Sequence, residues 1–260
     1  PVLNSVPGVY MQSGALNTNR ITIRGIGSRS PFATNKIKAY IDDIPLSTGE
    51  GETTLEDIDF STLDGIEVYR GPASTMYGAG LGGAIHMISK KIARTNAGCL
   101  DFSVGSFGLR KVNISAQVGN ENSGLSLFYQ DVSSDGYRQN NEYNRQSLST
   151  IAQTKIGTKS YLSSYFNYTH LKSFIPSSLD QDTYLNSPQS AASQWANAKG
   201  FEDNNRMRLG FSLKTIYNEN TESTVAVFTN IGKSREVTPF GNEDITTTNV
   251  GLRGKVRRNF

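Results

Sequence analysis

Cysteine is nearly absent from this 260-residue chain. Cys99 stands alone, so neither a disulfide scaffold nor a multi-cysteine metal site is available. Long apolar runs are missing as well: none reaches the roughly 18 residues a spanning helix needs, which excludes a helical membrane protein. There is no excess of one charge. The 26 basic and 23 acidic residues leave a net charge of +3, too even a balance for nucleic acid to be the expected partner. The two histidines, His86 and His170, are solitary, and neither a zinc-ligand spacing nor a nucleophile elbow occurs. Asp42 and Asp43 are adjacent on or beside a strand, so their carboxylates diverge and cannot share a proton. No base lies near Cys99 in sequence to activate its thiol. The expectation is a protein that is not an enzyme and needs no cofactor.

What is plentiful is glycine, at 25 residues, with 12 tyrosines and 12 phenylalanines. That composition suits strands and turns better than a helix bundle, and the glycines have no fixed period that would suggest collagen. The residues from Pro1 to Val9 lack the charged start and apolar stretch of a signal peptide. Both ends read as cut, which suggests a piece of something longer.

The pattern divides near Lys90. Before it, short strands are expected at 21–24, 37–42, 66–70 and 84–89, from β-branched content and flanking turn residues. A capped helical turn is expected over 53–58, with Thr53 three residues before Glu56. After Arg94 the chain falls into segments of roughly ten residues that alternate apolar and polar, the length and period of a membrane-barrel strand. Val112, Ile114, Ala116 and Val118 share one face, and Lys111, Asn113, Ser115 and Gln117 the other. Met207, Leu209, Phe211 and Leu213 oppose Arg206, Arg208, Ser212 and Lys214; Val250, Leu252 and Val256 oppose Arg253, Lys255 and Arg257. Further strands fit 100–105, 125–132, 148–156, 161–171 and 224–234, about eight in all.

Alternation alone also fits a soluble β-sandwich whose apolar face meets a core. The connections favour a barrel. Links at 119–123, 157–160 and 217–221 are tight, while those at 133–145, 173–205 and 235–247 are long and polar, with Phe107-Gly108 the one short member of the second set. Tight turns on one side and long loops on the other are an outer-membrane pattern.

The stretch from Leu63 to Lys91, LDGIEVYRGPASTMYGAGLGGAIHMISKK, resembles the end of the plug domain of TonB-dependent outer-membrane receptors. It carries the same Glu, Arg-Gly-Pro, Tyr-Gly and Gly-Gly succession. Val6-Pro7-Gly8-Val9, Ile23-Arg24-Gly25 and Tyr40-Ile41-Asp42-Asp43-Ile44-Pro45 match in order, except that the family commonly has Asp-Gly where Asp42-Asp43 stands. The resemblance implies an α+β plug domain at 1–92 and antiparallel transmembrane β-barrel strands at 93–260, about eight of an expected 22. An eight-stranded closed barrel has room only for side chains and could not hold a plug of some ninety residues, so a larger wall is expected.

The resemblance further implies import of a scarce nutrient across the bacterial outer membrane, with the plug gating the lumen. A ferric siderophore or other iron complex is the commonest cargo; cobalamin or a glycan stays open, as does a secreted β-sandwich binding protein without transport. Implied partners are TonB with ExbB and ExbD, the small ligand, and outer-membrane lipid. Arg24 and Arg70 correspond to arginines that pair with carboxylates of the barrel wall in that family, with Glu67 matching the plug glutamate close by, so that the three are expected to form one plug–barrel ion-pair network. The ligand-facing plug apex is expected in two loops, with Gln12, Ser13, Asn17 and Thr18 in one and Ser47, Thr48, Glu50 and Glu52 in the other. The wall residues Arg206, Arg208, Lys214, Arg253, Lys255 and Arg257 would suit an anionic cargo. The loop 173–205 reads equally as a ligand cap or a surface loop holding Trp195, Tyr184, Asp180 and Asp182. The run Gly78-Ala79-Gly80-Leu81-Gly82-Gly83 fits a dinucleotide fingerprint in letters only, because strand-like alternation follows it instead of a helix.

Overall fold

The computed structural model describes residues 2–13, 19–28, 34–47, 53, 55, 58, 62–71, 74–78, 80–90 and 96–259. Two small sheets come first. β1 (Val9–Ser13) and β2 (Asn19–Ile23) form an antiparallel hairpin in which Val9 faces Ile23. β3 (Ile37–Ile41), β4 (Ile44–Pro45), β5 (Leu63–Arg70) and β6 (Gly83–Ser89) form a mixed sheet in the order β4-β3-β6-β5. β3 runs parallel to its neighbour β6. These two central strands are the most apolar, as strands covered on both faces must be: Ile37, Ala39, Ile41, Ile85 and Met87 are fully buried. A four-residue helix, α1 (Ser74–Tyr77), lies between β5 and β6.

The glycine run leads into β6, a strand where a dinucleotide site needs a helix. Gly83 has φ +131°, and a Cβ there would lie 2.0 Å from the Tyr69 carbonyl oxygen. Only glycine lets the two backbones approach so closely.

The remainder is one eight-stranded antiparallel sheet. Its strands are β7 (Ala97–Val104), β8 (Arg110–Gly119), β9 (Ser123–Ser134), β10 (Tyr143–Ile156), β11 (Ser160–Phe174), β12 (Phe201–Asn218), β13 (Thr221–Thr238) and β14 (Gly241–Arg258). Each pairs with the next, and β7 and β14 are the edges. All eight expected strands are present. One link differs from expectation: the segment read as a long polar loop at 235–247 is strand on both sides of a tight turn, with Thr238 paired to Gly241. Polar residues on both faces hide the period of two, while the backbone ladder continues regardless. The link between β11 and β12 carries two helices that sequence did not indicate, α2 (Gln181–Asn186) and α3 (Ser193–Ala198).

The two faces of this sheet have opposite character. Leu100, Phe102, Val104, Ile114, Leu125, Phe211, Val225, Val250, Leu252 and Val256 are exposed on one face. A soluble sandwich would bury that face; a membrane wall turns it to lipid. On the other face Phe128, Ile151 and Tyr165 are buried and join the same apolar core as Leu3, Met11, Ile23, Ile44 and Ile85 of the small sheets. The sandwich expectation is therefore replaced by a wall that is oily outside and packed against a smaller body inside.

Candidate functional site

The candidate site is the contact between the small sheets and the inner face of the wall. Its apolar part is tight. Gly210 on β12 opens a gap that Ile44 fills: a Cβ at 210 would fall 2.3 Å from Ile44 Cδ1. Ile44 is only 4% exposed. Beside this contact the wall is a polar ladder, as a lumen face should be. Asn167 donates to Ser147 at 3.2 Å and to Ser149 at 3.0 Å. Arg145 donates to Gln130, which passes the chain on to Asn113. Buried polar groups persist only when partnered in this way.

The charged part lies on β14. Lys255 Nζ is 2.6 Å from Asp43 Oδ1. Two residues along, on the same face, the Arg253 guanidinium lies 4.5 Å from the Tyr40 ring centre and 5.5 Å from that of Tyr77. It also donates to the Met76 carbonyl at 2.6 Å. Tyr40 donates its hydroxyl to the Tyr77 carbonyl at 2.8 Å, and the two rings lie 5.1 Å apart. Burial raises the Tyr40 hydroxyl pKa, against the opposing pull of Arg253.

Asp43 is held where it is by its neighbour. Asp42 adopts φ +49° in the turn between β3 and β4, a conformation that Asp tolerates better than most residues. Its carboxylate accepts from the Ser89 backbone NH at 3.1 Å and the Ser89 hydroxyl at 2.6 Å. Its own NH donates to the Met87 carbonyl at 2.8 Å, and its carbonyl lies 2.8 Å from His86 Nε2. Asp42 and Asp43 thus form the turn between β3 and β4.

The sequence-derived site residues are placed less tightly. Arg24 is exposed, has φ +50°, and its backbone NH donates to the Gly8 carbonyl at 2.8 Å. Arg70 donates to the Pro7 carbonyl at 3.0 Å. Glu67 accepts from the Tyr69 hydroxyl at 2.7 Å and lies 3.5 Å from His86 Nδ1. The Tyr69 hydrogen bond first, and His86 second, hold its carboxyl below the usual range. Among the described residues no ion pair joins these three to one another, or either arginine to the wall. Gln12 is exposed on β1 opposite Arg20, and Ser13 ends that strand. Thr53 donates to the Ile37 carbonyl at 2.6 Å, so Ser47, 3.2 Å away, donates to Thr53. The Thr53 hydroxyl thus ties this segment to β3 and to Ser47. Asn17, Thr18, Thr48, Glu50 and Glu52, and most of the expected helical turn, lie outside the described residues.

Five of the six basic wall residues have a described setting. Lys255 and Arg253 hold the small sheet, Lys214 and Arg257 flank Glu222 at 2.8 and 3.8 Å, and Arg208 is buried. At the end of the wall with the longer links, Glu202, Glu236 and Glu243 stand in register across three strands. In the β11–β12 loop, Asp180 caps α2 through the Thr183 NH at 2.7 Å, and among the described residues no group of three or more His, Cys, Asp or Glu is placed to hold a metal ion. Arg138, from the β9–β10 loop, donates to the carbonyls of Ser190, Ser177 and Pro176 and fastens the two loops together. Sequence reasoning missed the β14 contacts. The available signal was Asp43 itself, a carboxylate where the resembling family has glycine.

Comparison with known proteins agrees with this arrangement. Residues 1–85 match the TonB-dependent receptor plug domain. An iron-regulated outer membrane virulence protein of Vibrio cholerae is 37% identical over 92 residues, which are 34% of this chain and 14% of that protein. The unliganded ferric citrate transporter FecA superposes with a TM-score of 0.83 at 16% identity, covering 100% of this chain and 41% of FecA. The ferric yersiniabactin uptake receptor FyuA from Yersinia pestis gives a TM-score of 0.74 at 14% identity, covering 96% of this chain and 42% of FyuA. The chain thus spans a minor part of the length of the relatives it matches. Residues 1–85 therefore carry a TonB-dependent receptor plug domain, and the strands that follow have the fold of part of the β-barrel of such receptors.

Proposed function

We propose that the chain is the plug and first wall section of an importer that moves a scarce iron complex, a ferric siderophore or ferric citrate-like ligand, across the outer membrane. The plug comprises residues 1–92 and the wall section 93–260. The observation that carries this reading is the seat of Ile44 against Gly210 on the inner face of a sheet whose outer face is apolar. A body so placed blocks the passage until it moves. Energy reaches it from TonB with ExbB and ExbD, acting on the N-terminal side of the plug. Iron as cargo is supported by the names of the similar proteins, an iron-regulated receptor and ferric citrate and ferric yersiniabactin receptors.

The ligand meets the plug apex, formed by Gln12, Ser13, Asn17 and Thr18 with Ser47, Thr48, Glu50 and Glu52, and the loops above it. Arg24, Glu67 and Arg70 serve the plug's own seating near its N-terminal segment. The test is uptake of radiolabelled ferric complexes by cells with the intact receptor gene, a gene deletion, or the gene in a strain without TonB. Uptake that needs both receptor and TonB supports the reading; equal uptake in all three strains refutes it.

A further inference from the structure

We infer that Lys255 and Arg253 of β14 are positioning residues that lock the plug closed through Asp43 and the Tyr40–Tyr77 pair. This inference rests on the import reading above. The polarity is the reverse of the one the family resemblance implied: the wall supplies the cations and the plug supplies the carboxylate. Two segments distant in sequence, the Asp42-Asp43 turn and α1, are fastened to one strand by side chains two residues apart. Successive residues of a strand point to opposite faces, so 253 and 255 share the inner face while Leu252 and Val256 point outward and are exposed.

Several observations separate this contact from an ordinary surface ion pair, which contributes little. The Asp43 side chain is only 19% exposed and the Lys255 side chain 36%, so solvent screens the pair incompletely. A 2.6 Å charged contact belongs to the short, strong class of hydrogen bond. The turn carrying Asp43 is anchored by four hydrogen bonds from Asp42 to β6, so the carboxylate is delivered in place and little side-chain freedom is lost when the pair forms. Arg253 combines a planar cation against two rings with one charged hydrogen bond to the Met76 carbonyl, a combination that lysine lacks.

A glycine at position 43, as in the resembling family, would leave Lys255 without this partner. The Asp43–Lys255 pair therefore depends on the departure from glycine at position 43. Displacing the plug along β14 must break both contacts together, since the turn and α1 are joined through the hydroxyl of Tyr40 and the carbonyl of Tyr77.

The test uses the intact receptor in cells lacking other large pores, with two readouts: entry of vancomycin, which leaks through an unseated plug, and TonB-dependent uptake of a ferric complex. Asp43→Lys and Lys255→Asp are each expected to raise vancomycin sensitivity at least fourfold, and the double exchange to restore the wild-type value. Arg253→Lys, which keeps the charge, is expected to leak as well. Heat-modifiable migration on gels reports that each variant has folded. A second arm bridges Asp43→Cys to Lys255→Cys with a short bis-maleimide, which is expected to abolish uptake that the unbridged double variant retains. Singles and double that match wild type in leak, or undiminished uptake after bridging, overturn the lock. Failure of the wild-type receptor to import any ferric complex overturns the import reading instead.

Discussion

Gly210 and Ile44 meet across the boundary between wall and plug with no space for a methyl group between them. The pair joins two parts of the chain that share no strand pairing, and it sets how closely the β3–β4 hairpin approaches β12.

Replacing Gly210 with valine should therefore overpack the seat and cost about 1–3 kcal/mol. Ile44→Ala should cost about 2–5 kcal/mol by leaving a cavity. In the double variant the new branch at 210 occupies the space vacated at 44, so the two costs should fall short of additive, as contacting residues generally do. Thermal denaturation of the intact receptor in detergent, in a double-mutant cycle, measures the coupling. Strict additivity would place the two side chains out of contact.

An arginine in place of Leu252 should destabilise the receptor in bilayers by about 2–4 kcal/mol if that position lies near the midplane, because the charge faces hydrocarbon. The neighbouring inward position already holds Arg253 without that cost, since its partners are the Met76 carbonyl and the two tyrosine rings. Refolding titrations into vesicles of the two variants Leu252→Arg and Arg253→Leu separate the faces: the first loses stability to lipid, the second to lost plug contacts.

At the end of the wall with the longer links, Glu236 stands between Glu202 and Glu243 in register. Like charges directly opposite repel, so Glu236→Gln is expected to stabilise by about 0.5 kcal/mol, with the gain shrinking as salt is added. Denaturant unfolding at low and high salt measures both effects. A loss of stability would show that the glutamate has a partner there.

The Asp180 cap gives a pH dependence. Hydrogen bonds from the Thr183 NH and hydroxyl hold its carboxyl below the ordinary value of 3.8. A lowered folded pKa means the cap contributes fully above the unfolded value and is lost as pH falls through the folded one. Hydrogen exchange at α2 should therefore be protected at neutral pH and lose that protection below about pH 4, and Asp180→Ala should show the unprotected rate throughout. Exchange in the wild type that stays slow at low pH would show that the cap does not order the helix.

How much of this was legible in the sequence depended on whether a signal was local. The wall strands were legible because one apolar face must repeat every second residue, as at Val112, Ile114, Ala116 and Val118. The β13–β14 extension was not, because Arg235 to Thr247 is polar on both faces. α2 and α3 escaped because each is a six-residue helix, too short to show a 3.6-residue period. The plug was legible through its motifs, yet the motif residues Arg24 and Arg70 bond to carbonyls within the plug, at Gly8 and Pro7, while Asp43, Arg253 and Lys255 make the contacts between plug and wall. Asp43 and Lys255 are 212 residues apart, and no local pattern announces a partner at that distance.

The central claim is that the eight-stranded sheet turns its apolar face to lipid and its polar face to the plug. Nitroxide labels placed one at a time from Val112 to Gln117 on β8 of the intact receptor in bilayers test it most directly. Labels at 112, 114 and 116 should collide freely with oxygen dissolved in the membrane, and those at 113, 115 and 117 should not. An absence of that alternation, or its inversion, would contradict the account.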